Sequence, residues 1–229
     1  MNDVGKENAI DTSKQSIQRL AATYAERGDP NGWFEELYAR AEGNIQKIYW
    51  ADLKPNPLLL DWIKNYQPTT DMQAITIACG LGDDAEALSR HGYRVTAFDI
   101  SPSAIEMCRQ RYPDSKVEYK VADLFSLPEE WVRKFNLVYE CNTIQILKGT
   151  IRSQAITEIS GLVAPGGEVL VSCRSRNAGE GLDDFPVALD KDEIDGFRRA
   201  GLLEEHFLVY DDDQDPPVPH FFAVYKRSI

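Results

Sequence analysis

The chain has 229 residues, 37 acidic against 25 basic side chains and 43% hydrophobic residues, for a net charge of −12. That length supports one sizeable core, and an acidic chain without a basic patch is a poor partner for a phosphate backbone, which excludes nucleic acid. No apolar run approaches the roughly 18 residues that span a bilayer, and MNDVGKENAI lacks the layout of a signal peptide, so no membrane partner and a cytoplasmic location are expected.

Residues 1–12 are polar. From Thr12 to Arg27, Ile17, Leu20, Ala21 and Tyr24 recur at helical steps before Gly28-Asp-Pro, which predicts an amphipathic helix. A second helix is predicted from Asn31 to about Gln46, with Trp33, Phe34, Leu37 and Tyr38 on its apolar side, and a short third from about Pro57. Strand and helix then alternate: strands 74–78, 94–100, 117–123, 135–142 and 168–175, with helices 83–92, 103–112, 150–163 and 191–201. HFLVY and FFAVY close the chain. Helix-length separations demand crossovers and hence parallel strands, whereas the last two strands are too close for one and predict an antiparallel hairpin. The fold class is α/β, a Rossmann-like doubly wound, mostly parallel seven-stranded sheet with an antiparallel C-terminal hairpin. Residues 1–70 form a helical extension or lid, and 71–229 the ligand-binding domain.

Ligands of such sheets bind beyond the carboxyl ends of the strands. There, GLGDDA (80–85) fits G-x-G-x-x-A directly after the first strand, and Asp99 follows Gly80 by 19 residues, the spacing of a carboxylate that accepts ribose hydroxyls. A dinucleotide such as NAD and S-adenosylmethionine both suit this geometry. A dinucleotide places its pyrophosphate on the following helix N-terminus, where Asp83 and Asp84 would oppose it unless both point outward. A sulfonium cation is favoured by the same charges. Cys79, Cys108, Cys141 and Cys173 contain no CxxC pair and read as reduced, packed thiols, with no metal site or disulfide framework.

Four further segments strengthen the second ligand. ACGLG (78–82), AFDIS (97–101), VADLF (121–125) and LVAPGGEVLV (162–171) together resemble, in order and spacing, the class I S-adenosylmethionine-dependent methyltransferases over about residues 70–229. Within them, the N-terminal GWFEELY…IYWADLKPNPLLLDWI, with CGLGDD and FDISPSAIE, resembles the thiopurine S-methyltransferase-like branch. The resemblance implies that Cys79, Gly80 and Gly82 line the methionine moiety, that Asp99 holds the ribose with Ile100 on the adenine, and that Asp123 and Leu124 bracket the adenine edge. It also implies that Trp50 covers the donor; as a plain sequence feature, Trp50 equally suits a core position. The chain departs from the family at Thr76, where members usually carry an acid, and at Ala78, where they carry a glycine. Ala78 is tolerated cheaply only with a negative φ.

Substrate groups are expected where the strands end. Glu140, Asn142 and Gln145 follow the fourth strand, and Glu140 either orients or deprotonates a substrate or binds loop amides. Arg174 and Arg176 follow the fifth strand and suit an anionic small-molecule substrate or surface ion pairs. Among the histidines His220 is the candidate base, with His91 and His206 at a helix end and a strand surface. Trp33, Phe34, Tyr38, Tyr49 and Trp50 suit an apolar lid or simple packing. A thiolate acceptor needs positioning alone, whereas a hydroxyl needs a general base worth about 10²–10⁴ in rate. Two other classes fit parts of the pattern: a nicotinamide-dependent oxidoreductase, and a catalytically inactive cofactor-binding protein.

Overall fold

In the computed structural model, which describes residues 14–48, 50–69, 71–180 and 186–229, three helices precede the first strand. They are α1 (Lys14–Glu26), α2 (Gly32–Ala41) and α3 (Pro57–Lys64). Residues 1–13 and Tyr49 lie outside the described residues. The second helix is shorter than its periodicity predicts, because Glu42 (φ 51°) and Gly43 (φ 79°) turn the chain left-handed after Ala41. A single 3₁₀ turn, 45–47, covers the rest of that segment. At α3, Asn56 accepts from the Leu58 and Leu59 amides while Pro57 supplies the preset first φ.

The alternating elements follow: β1 (Gln73–Ile77), α4 (Asp83–Arg90), β2 (Arg94–Asp99), α5 (Pro102–Arg111), β3 (Glu118–Val121), β4 (Phe135–Cys141), α6 (Gly149–Leu162) and β5 (Val163–Arg174). After them come the short α7 (Lys191–Ile194) and α8 (Gly196–Arg199), and the hairpin of β6 (Leu203–Asp211) and β7 (Pro219–Lys226). The sheet order is β3-β2-β1-β4-β5-β7-β6, parallel through β5, with β7 antiparallel to both its neighbours. Between β3 and β4, where no helix is predicted, the crossover carries a 3₁₀ turn, 129–131, whereas the helix expected over 191–201 breaks at Asp195 into α7 and α8. Among the described residues, no helix is long and apolar enough to cross a membrane.

Period-two alternation sends successive strand residues to opposite faces. Ile75, Ile77, Val138, Val169 and Val171 pack with Ile156 and Ile159 of α6, whereas Ala74, Leu137, Tyr139 and Leu170 pack with Leu59, Leu88 and Ile105 of α3, α4 and α5. Each such buried aliphatic side chain contributes about 1.5–3 kcal/mol. This two-sided core fixes the register and so brings the carboxyl ends of β1, β2, β4 and β5 to one edge.

At that edge the backbone is strained. Ala78 has φ 45° and Asn142 φ 64°, immediately after β1 and β4. The negative φ that would have made Ala78 cheap is absent, and a left-handed alanine costs roughly 1–2 kcal/mol. Ala78→Gly is therefore expected to raise stability by about 0.5–1 kcal/mol, after the extra chain entropy of glycine is subtracted. Chemical denaturation measures it.

Candidate active site

The turn after β1 is the centre of the site. Gly80 (φ 54°) and Gly82 (φ 85°) both lie in the left-handed region, and Gly82 leads directly into α4. A Cβ on Gly82 would stand 2.5 Å from the Tyr119 hydroxyl and 3.2 Å from Cys108 Sγ, so that glycine serves the packing of α4 against β3 and α5. A Cβ on Gly80 would stand 3.1 Å from the Tyr38 hydroxyl. Cys79 is partly buried; its thiol is pushed well up by hydrogen bonding to Cys108 and by burial. All four cysteines are free.

Asp99 ends β2, 5% exposed, and braces this turn: one carboxylate oxygen accepts from the Gly80 amide and the other from the Ser101 amide, each at 3.0 Å. Burial pushes its carboxyl up to about 6, against the pull of the Ser101, Gly80 and Ile100 amides. An ionised carboxylate has about four lone-pair sites, so Asp99 retains acceptor capacity for a diol. Ile100 follows it, partly buried. Across β2–β3, Asp123 accepts from the Phe125 amide at 2.9 Å and so shapes the loop in which Leu124 (8% exposed) joins the core. Thr76 stands where the family's acid is expected. Its buried Oγ1 has no partner among the described residues and leaves an acceptor open at that position.

The aspartates beginning α4 do not point outward. Asp83 is held by Arg111 at 2.8 and 2.9 Å and by Tyr112 at 2.9 Å. Asp84 accepts from the Asn56 amide at 2.7 Å, and burial pushes its carboxyl up to about 6. Asp83 is thus neutralised by its own partner, and the sequence preference for a sulfonium keeps only the support of Asp84.

Periodicity alone did not reveal how α2 is fastened to the turn. Glu35 accepts from Ser101 Oγ (2.6 Å), Ser103 Oγ (2.7 Å) and the Ser103 amide (3.1 Å), capping α5 from outside. Ser101 also donates its own amide to Asp99, so the α2 helix is linked to the ribose-type carboxylate through one residue. Trp50, 39% exposed, donates Nε1 to the Tyr38 hydroxyl at 3.1 Å and meets Trp33, Phe34 and Tyr38 edge-on. It sits at the rim of the aromatic cover rather than in the core.

Glu140 is fully buried. Its Oε1 accepts from the Thr143 (2.6 Å) and Ile144 (3.0 Å) amides, its Oε2 has no partner among the described residues, and burial pushes the carboxyl up to about 7. Raised folded-state values mean that the native chain binds protons more tightly than the unfolded chain. The contribution of Glu140 to stability is therefore fully present below the ordinary carboxyl range and is lost as pH rises from about 4.5 to 7. Glu140→Gln is expected to flatten that decline, with a gain at pH 8 on the order of 3 kcal/mol from the shift from 4.5 to about 7. Thermal melts at pH 5 and pH 8 of both forms measure it.

Asn142 is exposed, its amide bonded to the Ser172 carbonyl. Gln145 is 5% exposed and spends its side-chain oxygen on the Arg174 amide at 2.7 Å, so it fixes the end of β5. Arg176 is paired with Asp190 and Glu193. Arg174 makes no such pair among the described residues.

His220 opens β7 opposite Arg174 and is 7% exposed. Its Nδ1 lies 2.8 Å from the Val218 carbonyl and 3.8 Å from Asp212, and its ring stacks on Tyr210. A carbonyl only accepts, so Nδ1 carries the proton and the neutral ring presents Nε2 as its lone pair. Phe222 and Val224 place the same face of β7 against α3 and α4, with Cys141 and Tyr210 packed beside them. Asn56 Nδ2 reaches Ser172 Oγ (3.4 Å) and Cys141 Sγ (3.6 Å) there. Asn56, Tyr210 and Asp212 have no sequence motif; only the fold gathers them.

A methyltransferase domain family matches residues 74–167, from β1 through the β5 turn. Residues 74–167, about two fifths of the chain, are thus similar to a methyltransferase domain, which favours S-adenosylmethionine over the nicotinamide alternative for the glycine turn. A ubiquinone biosynthesis O-methyltransferase of Dechloromonas aromatica is 26% identical to this chain over 144 residues, 59% of this chain and 61% of that protein. One from Xylella fastidiosa is 31% identical over 124 residues, 53% of this chain and 49% of its own. The chain thus spans about half to three fifths of the length of these relatives. The N-methyltransferase NodS of Bradyrhizobium japonicum, solved with S-adenosylhomocysteine, shares the fold at a TM-score of 0.60 and 19% identity, over 93% of this chain and 97% of its own. None of these three is a thiopurine S-methyltransferase, so that finer likeness has no support from them.

Proposed function

We propose that the protein methylates a hydroxyl group of a small molecule, with His220 as the general base. The observation that carries this is the seat of His220: its Nδ1 lies 2.8 Å from the Val218 carbonyl and 3.8 Å from Asp212, which leaves Nε2 to take a proton. The names of the relatives, ubiquinone biosynthesis O-methyltransferases, point to the same acceptor class.

When bound, the donor supplies an electrophilic methyl on a sulfonium. The chain's own residues do the rest. Asp99, Gly80 and Cys79 hold the donor, Ile100, Asp123 and Leu124 frame its adenine, and Gly82 sets the turn. The helices α1 to α3, with Tyr38 against Gly80 and Trp50 bonded to Tyr38, form the cover that excludes water. Glu140 acts as a positioning residue, because its Oε1 holds the loop after β4 that presents Asn142, with Gln145 bracing β5. Holding acceptor and donor in near-attack geometry can supply about 7–11 kcal/mol.

The test is product formation from labelled S-adenosylmethionine with matched phenol, thiophenol and aniline acceptors. Transfer to the phenol that depends on His220 is expected. Turnover confined to the thiophenol and unaffected by His220→Asn would favour the sulfur acceptor instead, and no turnover with donor still bound would favour the inactive binding protein.

A further inference from the structure

Arg174 is the register partner of His220, which is itself the partner of Tyr210. Residues directly opposed in antiparallel strands share a face, with Cβ atoms about 5 Å apart. Arg174, His220 and Tyr210 therefore form a row across β5, β7 and β6 on the face covered by α3 and α4. Ser172 belongs to the same face, its Oγ 3.4 Å from the Tyr210 hydroxyl.

Arg174 is partly buried in a chain of net charge −12, yet its guanidinium makes no hydrogen bond or ion pair among the described residues. The basic side chains around it are all engaged: Arg176 by Asp190 and Glu193, and Arg152 by Glu193. Among the described residues no ion pair joins it to Asp212 or Asp213 of the β6–β7 loop. Asp212 accepts from the Gln214 and Val218 amides, and Asp213 lies 3.8 Å from Lys54. A guanidinium that has lost part of its hydration gains most from a planar oxyanion that it can grip with two parallel N–H bonds.

Resting on the assignment of His220 as base for a hydroxyl acceptor, we infer that the acceptor is a hydroxy acid whose carboxylate is held by Arg174 while its hydroxyl faces His220. One unpaired cation in so acidic a chain suits a single negative charge better than a dianion.

The test is calorimetric titration of 3-hydroxybenzoate and of its neutral isostere 3-hydroxybenzamide into the protein saturated with S-adenosylhomocysteine. The acid is expected to bind at least about ten-fold more tightly. Arg174→Gln brings the two within about two-fold, Arg174→Lys keeps part of the preference, and both variants hold S-adenosylhomocysteine as the parent does. Equal binding of acid and amide, binding of neither, or a preference that survives Arg174→Gln would overturn the inference. Binding is read without turnover, so the two claims fail separately. An acid bound through Arg174 but never methylated would leave the carboxylate grip standing and remove the hydroxyl-transfer role of His220.

Discussion

Asp99→Ala is expected to weaken S-adenosylmethionine binding at least ten-fold, the equivalent of the roughly 1.5–3 kcal/mol of hydrogen bonds to a charged group. Two losses combine. The ribose loses its acceptor, and the Gly80 and Ser101 amides, each 3.0 Å from the carboxylate, lose the brace that shapes the turn. Asp99→Asn keeps the volume but faces one of those amides with an NH₂ donor, so it is expected to weaken binding nearly as much. The parent also carries a pH signature. Its Asp99 carboxyl is raised to about 6 in the free protein, and a ribose diol is accepted by the ionised form. Donor affinity should therefore be flat above about pH 7 and fall as pH drops through 6. Calorimetry across that range measures it, and a folded Asp99→Ala with unchanged affinity would remove the ribose assignment.

His220→Asn is expected to lower kcat for a hydroxyl acceptor by about 10²–10⁴, the range for loss of a general base, with donor affinity unchanged. The asparagine can still donate to the Val218 carbonyl but offers no basic nitrogen where Nε2 stood. Asp212→Asn should have a smaller effect, because the carboxylate is 3.8 Å from Nδ1 and shares its lone pairs with the Gln214 and Val218 amides. A thiolate acceptor should be indifferent to both substitutions, since it needs no base. Steady-state kinetics with matched oxygen and sulfur acceptors separate these outcomes, and an undiminished kcat on the hydroxyl would remove His220 from the chemistry.

The sheet and its hairpin were legible because strands buried on both faces read as short apolar runs, and because ten residues cannot hold a crossover helix. The glycine turn and Asp99 were legible because a left-handed backbone and a ribose acceptor both constrain residue type at fixed spacing. Ala78 was not: a methyl group held at φ 45° is strain the fold imposes, and no local preference announces it. Asp83 was misleading for a related reason. Its partner Arg111 lies 28 residues away on α5, and that pairing exists only once β2 and α5 have folded. The same distance in sequence concealed the Glu35 cap on Ser101 and Ser103 and the gathering of Asn56, Ser172 and Tyr210. Glu140 could be read as base or as loop brace from its position. Burial and two amide bonds on one oxygen favour the brace.

The most direct measurement is calorimetric titration of the full chain with S-adenosylhomocysteine and, separately, with NAD. One-to-one binding of S-adenosylhomocysteine that is lost in Asp99→Ala, with no heat from NAD, is the predicted result. Binding of NAD, or of neither ligand to the folded protein, would contradict a methyl donor seated on Gly80 and Asp99.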